Sequence, residues 1–256
     1  TWASMLIKPV LQNGALLADI HNASNGGDRL HVWWLGQSGF LLKCAGEFLL
    51  LDPYLSDSLT KKYAKTDKPH VRMTEICLAP EKLDMVGVAT SSHQHTDHFD
   101  EETLRPLAQA NGHLKLVLPE AVMPKARKRL PDANIEFIAL NDGQSVEVDG
   151  WEFTGVAAAH NEIERDDQGR CHYLGFIVRR NGITIYHSGD TAYFGDMALI
   201  ARIHAPTVGI LGCTQPKPLV PAFSPGPGSL LTGEMSPDEA ALAAELLGVR
   251  YAVASH

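Results

Sequence analysis

Short apolar runs broken by polar or glycine-containing turns make up most of the chain, and few are long enough to be helices. Residues 31–35, 40–44 and 47–51 follow one another closely, with Gly36, Gly39 and Gly46 in the turns between them. That rhythm predicts a β-meander, because glycine opens the backbone conformations that tight turns need. Residues 84–91 form a further apolar run, which leads into a cluster of histidines. Residues 114–118, 135–140, 144–148, 151–159, 173–179, 183–187, 207–211 and 250–255 also suit strands. Asn181-Gly182 reads as a hairpin turn between two of them.

Helical patterns lie between these runs. Residues 100–110 begin with acidic side chains, which favour the positive end of a helix. Residues 119–130 and 195–204 read as helices, and residues 1–28 carry a weak helical pattern. The strongest helix start is Ser236-Pro237-Asp238-Glu239, with Ser as N-cap, Pro at the first helical position and Glu closing a capping box. Gly248 ends that helix. A Pro/Gly-rich loop fills residues 213–234. A strand-rich half with some helix is thus followed by a similar half. The expectation is an α/β fold in which two sheets pack face to face with helices outside. No linker separates the halves, so residues 1–256 read as one domain, with 1–28 as an N-terminal extension.

Charge narrows the partners. With 22 Lys and Arg against 30 Asp and Glu, the formal charge is -8, a poor match for nucleic acid or an anionic membrane. Two basic runs, Lys61, Lys62, Lys65 and Lys68, and Lys125, Arg127, Lys128 and Arg129, read as solvated faces. Cys44, Cys77, Cys171 and Cys213 lie far apart without a Cys-x-x-Cys pair, the pattern of a reduced, cytoplasmic chain. No apolar run reaches membrane-spanning length.

The chemistry concentrates in Ser91-Ser92-His93-Gln94-His95-Thr96-Asp97-His98. Imidazoles and a carboxylate at this density suit a divalent metal. His93 and His95, two residues apart in an extended turn, face one ion, which leaves Asp97 and His98 for a second. Further ligands belong where other strands end, since loops there present functional groups. His160, Asp190 and His256 each follow an apolar run.

The motif and these later residues resemble the metallo-β-lactamase superfamily, whose His-x-His-x-Asp-His signature is matched by His93 to His98 and whose later His, Asp and His are matched in order by His160, Asp190 and His256. Residues 33–40, Trp-Trp-Leu-Gly-Gln-Ser-Gly-Phe, and 186–190, Tyr-His-Ser-Gly-Asp, resemble the branch that contains L-ascorbate-6-phosphate lactonase. Ser92 stands where that superfamily often has Thr. The resemblance implies a four-layer αββα sandwich and two divalent metal ions, zinc or manganese. It assigns His93, His95 and His160 to the first ion and Asp97, His98 and His256 to the second, with Asp190 bridging. Two ions sharing a water make it a nucleophile near neutral pH. Asp97 is then the catalytic carboxylate that orients the nucleophile and carries its proton.

The implied function is metal-dependent hydrolysis of a small anionic lactone, ester or phosphoester. A nuclease or phosphodiesterase of the same fold is the alternative among enzymes, and a non-catalytic metal-binding module the alternative outside them. Loops 54–70, 161–172, 193–196 and 214–234 should wall the pocket. They offer Arg165, Arg170, His172, Tyr193 and Lys217 as groups to hold an anionic substrate.

Overall fold

A computed structural model describes residues 6–67, 70–214 and 233–256. Helix α1 (Asn13–Asn22) precedes the meander, which is β1 (Leu30–Gly36), β2 (Gly39–Cys44) and β3 (Glu47–Leu51), all antiparallel. A short helix α2 (Ser58–Tyr63) and a single 3-10 turn lead to β4 (Val88–Thr90). Then come α3 (Glu101–Asn111), β5 (Leu114–Pro119), α4 (Met123–Arg129) and β6 (Ile135–Leu140). Strands β3 to β6 run parallel, so each needs a long return connection, and α3 and α4 supply two of these.

The second half repeats the plan. Strands β7 (Ser145–Val148), β8 (Trp151–Ala157), β9 (Leu174–Arg180) and β10 (Ile183–His187) are antiparallel. Helix α5 (Met197–His204), strand β11 (Val208–Gly212), helix α6 (Pro237–Leu247) and strand β12 (Tyr251–Ser255) extend that sheet in parallel. Each sheet has six strands, in the orders β1-β2-β3-β4-β5-β6 and β12-β11-β10-β9-β8-β7.

Alternation of side chains along the strands builds the layers. Phe40, Leu42, Leu49 and Leu51 of the first sheet pack with Phe153, Leu174, Phe176, Val178 and Ile185 of the second, forming the core between the sheets. The intervening residues Leu41, Leu50 and Leu116 face the other way, against Leu16 and Ile20 of α1 and Leu104 and Leu107 of α3. On the far side, Ile177, Tyr186 and Leu211 meet Met197 and Ile200 of α5 and Ala243 and Leu247 of α6. The result is helix, sheet, sheet, helix, as expected. Both faces of each sheet are covered, which is why β2 is buried along its whole length.

The differences from expectation have local causes. In the run 84–91 only Val88–Thr90 pairs as a strand, and residues 84 and 85 form a turn. Helix α2 lies within the expected loop 54–70; it is one and a half turns long, without a side-chain cap, and so leaves little periodic trace. The capping box at Ser236 forms as expected, with Ser236 Oγ accepting from Glu239 N and Glu239 Oε2 accepting from Ser236 N. Among the described residues, no helix is long and apolar enough to cross a membrane.

Candidate metal centre

Strand β4 ends at Thr90, and the histidine segment is the turn that joins it to α3. That turn is held from several sides. Ser91 Oγ donates to His93 O at 2.7 Å, and Ser38 Oγ, from the first meander, donates to Asp97 O at 2.6 Å. Asp100 caps α3 by accepting from Glu102 N. Arg129, expected on a solvated face, instead donates to Gln94 O at 2.9 Å and Phe99 O at 2.8 Å, and its guanidinium lies over the Phe99 ring. Its planar fork of donors reaches two carbonyls at once, which a sequence run of basic residues does not reveal.

The other expected ligands arrive from the second sheet. His160 follows β8 and stacks on Tyr173, with ring centroids 4.7 Å apart. Gly233 passes so close to the His160 ring that a Cβ there would overlap it. Asp190 follows β10 and His256 follows β12. Gly189, just before Asp190, has φ +56, and a Cβ on it would lie 2.7 Å from Ser92 Cβ. Gly189→Ala is therefore expected to cost at least about 2 kcal/mol in urea denaturation, from left-handed strain and overpacking together. Wild-type stability in that variant would show that the backbone relaxes at no cost.

All seven expected ligand side chains come together. His93 Nε2 lies 2.9 Å from His95 Nδ1 and 3.5 Å from Asp190 Oδ2. His95, His160 and Asp190 offer ligand atoms within 4.8 Å of one another, as do Asp97, His98 and His256. Around the second group, His98 Nε2 is 3.0 Å from Asp190 Oδ1 and 3.8 Å from Asp97 Oδ2. His256 Nε2 is 3.3 Å from Asp97 Oδ2 and 3.9 Å from Asp190 Oδ1. Donors placed tetrahedrally at about 2.0–2.1 Å from an ion are about 3.4 Å apart, within the spread of these distances. Asp190 Oδ1 is buried with His98 Nε2 at 3.0 Å and His256 Nε2 at 3.9 Å, ion-pair contacts that lack hydrogen-bond alignment. Buried polar atoms normally make well-directed hydrogen bonds. The convergence of these three atoms fits a cation held between them.

The electrostatics point the same way. Burial pulls His93 well below the ordinary imidazole range, helped by His98. Burial also opposes charge on His98, but Asp190, Asp97 and Asp52 outweigh it and hold this ring well above that range. His256 is pushed up to about 9 by Asp190, Asp97 and Glu234 against its burial. Asp190 is held well below the carboxylate range, since His98, His256 and His93 overcome its burial. A site that gathers this much positive charge around carboxylates is one where a divalent ion can take the place of protons.

Three residues near the ligands were not singled out from the sequence. Asp52, fully buried just after β3, accepts from Ser92 N at 3.0 Å, Thr90 Oγ1 at 2.7 Å and His98 Nδ1 at 2.7 Å, and also from Ser92 Oγ. It follows an apolar strand, as His160, Asp190 and His256 do. Tyr173 covers His93, His95 and His160 with its ring. Glu234 Oε2 lies 3.4 Å from His256 Nδ1, and burial together with Asp190 raises this carboxyl to about 7. It sits in a Pro/Gly-rich stretch with no periodicity, so nothing in the sequence pointed to it.

The expected substrate-holding groups fare unevenly. Arg165 donates to Asp142 at 2.8 Å and to Gly169 O. Arg170 pairs with Asp166 at 2.6 Å and with Glu120 at 3.2 Å. Both guanidinium charges are thus already met by carboxylates. Tyr193 is exposed, His172 is half-buried, and Lys217 lies outside the described residues. A cleft of about 610 Å³ opens beside His95, lined by Ser58, Lys62, Thr96, Glu101 and Arg129 among others. Lys62 Nζ donates to Thr96 Oγ1 at 3.2 Å there.

Comparison with known proteins gives a consistent picture. A sequence model of the beta-lactamase superfamily domain matches residues 49–256. A UPF0173 metal-dependent hydrolase from Rubrobacter xylanophilus is 31% identical over 240 residues, which is 90% of this chain and 82% of that protein. Among solved structures, an isothiocyanate hydrolase from Delia radicum gut bacteria superposes with a TM-score of 0.63 at 18% identity, covering 88% of this chain and 84% of that one. The metallo-beta-lactamase fold protein YhfI from Bacillus subtilis gives a TM-score of 0.61 at 18% identity, over 90% of this chain and 87% of that one. At these identities the two structures speak for the fold alone.

Proposed function

The chain belongs to the metallo-β-lactamase superfamily of metal-dependent hydrolases, and on that premise we propose that it holds two divalent ions and hydrolyses a small anionic lactone, ester or phosphoester. The observation that carries this reading is the convergence of ligand atoms: those of His95, His160 and Asp190 lie within 4.8 Å of one another, as do those of Asp97, His98 and His256, with His98 Nε2 3.0 Å from Asp190 Oδ1. In this reading His93, His95 and His160 hold one ion, Asp97, His98 and His256 hold the other, and Asp190 serves both. Such ions, zinc or manganese, supply an activated water and polarise the bond to be cleaved. Asp97, 3.3 Å from His256 Nε2, would orient the nucleophile and take its proton toward the leaving group.

The substrate reading rests on the cleft beside His95, whose size is that of small-molecule sites in general. Its acidic groups are occupied: Glu101 pairs with Arg129, Glu102 with Lys61, and Asp100 accepts from Ser58 and Thr103. Lys62 forms no ion pair among the described residues, so its charge is available to an anion entering beside the metals. Arg165 and Arg170 are already paired with Asp142, Asp166 and Glu120, so Lys62 is the stronger candidate for holding the anion. The resemblance to the lactonase branch agrees with a phosphorylated lactone.

The test begins with protein stripped of metal and reloaded with zinc or manganese. Elemental analysis should give two ions per chain, and hydrolysis should depend on them. A phosphorylated lactone should then be preferred over its unphosphorylated form by about tenfold or more, as a charge-assisted contact supplies roughly 1.5–3 kcal/mol. Lys62→Ala should remove much of that preference. Trace metal after reloading would refute the metal centre. No gain from the phosphate would leave a neutral lactone or ester as the substrate.

A further inference from the structure

We propose that Glu234 is a positioning residue for His256: its carboxylate takes the outer nitrogen of that imidazole, so that the inner nitrogen is presented to the second ion. The inference rests on the two-ion reading and adds to it a residue outside the seven ligands. His256 Nδ1 lies 3.4 Å from Glu234 Oε2, while Nε2 faces Asp97 Oδ2 at 3.3 Å and Asp190 Oδ1 at 3.9 Å. The ring is therefore held between carboxylates on both sides, with one on the outside and two on the inside.

The neighbouring imidazoles are built in the same way. His98 turns Nδ1 to Asp52 Oδ2 at 2.7 Å and Nε2 to Asp190 Oδ1 at 3.0 Å. His93 turns Nδ1 to Ser92 Oγ at 3.0 Å and Nε2 inward to His95 Nδ1 at 2.9 Å. An acceptor on the outer nitrogen fixes the tautomer and the ring angle, and makes the inner nitrogen a better donor to a metal. His256 has particular need of one. It follows an edge strand, and its backbone N donates to Gln37 O at a long 3.3 Å.

Glu234 is well placed to serve. Gly233 before it lies against the His160 ring. Met235 after it is fully buried and accepts from Thr214 N through its carbonyl at 2.9 Å. Ser236 then caps α6 with the reciprocal Glu239 bonds. The backbone on either side of Glu234 is thus pinned to the ligand His160 and to the helix, and the side chain reaches His256 from a fixed point.

The experiment uses zinc-loaded protein with nitrogen-15 histidine, comparing wild type with Glu234→Ala, Glu234→Gln and His256→Ala. Chelator competition reads the affinity of each ion, and NMR reads the proton on His256 Nδ1. Glu234→Ala is expected to weaken the second ion roughly 10–100-fold, leave the first unchanged and displace the Nδ1 proton signal. Glu234→Gln, which keeps an acceptor oxygen, should recover most of both. If His256→Ala loses the second ion while Glu234→Ala changes neither affinity nor signal, the positioning role is overturned and the metal centre stands. If Gln is as damaging as Ala and the Nδ1 signal is unmoved, Glu234 is a direct ligand and the positioning role is again overturned. If His256→Ala still binds two ions, the ligand assignment itself fails, and this inference with it.

Discussion

Asp97→Asn is expected to fold normally and to lose turnover by about 10²–10⁴-fold, the usual contribution of a positioned acid or base. Asn matches Asp in shape, so the packing against His98 and His256 survives. The charge and the capacity to accept a proton do not. Asp97 is held below the ordinary carboxylate range because His98 and His256 outweigh its burial, which favours its ionised form. An ionised carboxylate beside the second group of ligands can both hold an ion and orient a water by accepting its hydrogen bond, and the amide can do neither as well. The measurement is kcat on whichever ester or lactone the wild type cleaves, with circular dichroism and second-ion affinity alongside. Turnover within a few-fold of wild type in a folded variant would remove Asp97 from the chemistry.

The second large effect is on stability. Asp52→Ala should destabilise the metal-free chain by about 3–5 kcal/mol, the cost of breaking a buried charged pair from one side. The carboxylate serves His98 Nδ1, Ser92 N, Ser92 Oγ and Thr90 Oγ1, and it lies 3.3 Å from His187 Nε2. Alanine leaves these groups buried and unsatisfied. The pH dependence has a definite sign. Although burial disfavours its charge, Asp52 is held well below its usual range by His187 and His98. Its contribution is therefore complete above the unfolded carboxyl value of about 3.9 and is lost as pH falls below it. Urea denaturation should show a wide gap between variant and wild type near pH 7 that narrows in acid. A gap that is small at neutral pH would mean that the loop rebuilds its bonds without Asp52.

Much of this architecture was legible in the sequence because each device was local. The glycine turns of the meander, the Asn181-Gly182 hairpin and the Ser236 capping box act within a few residues, so their signatures are contiguous. The candidate metal centre was legible for another reason. The residues that converge there either crowd into one turn, His93 to His98, or stand where an apolar strand stops, as His160, Asp190 and His256 do. The rest depends on contacts between distant segments. Arg129 looks like part of a charged face until Gln94 O and Phe99 O are brought beneath it. Arg165 and Arg170 look free until Asp142, Asp166 and Glu120 are placed around them. Glu234 follows no apolar run in the sequence and stands in no motif, and the fold sets it beside His256.

The distribution of ligands between the two sheets bears on how the protein is made. His93, His95, Asp97 and His98 leave the ribosome early, with the first sheet. His160 and Asp190 come from the second sheet, and His256 must wait for β12 to dock on β11. A nascent chain carrying only the first half exposes the histidine turn without its counterpart residues and offers a passing cation an incomplete set of donors. In the two-ion reading, full coordination becomes available only after β12 has paired with β11. Ion capture is thereby tied to the docking of that strand, and a chain in which it has not docked is left without the clasp that joins its halves.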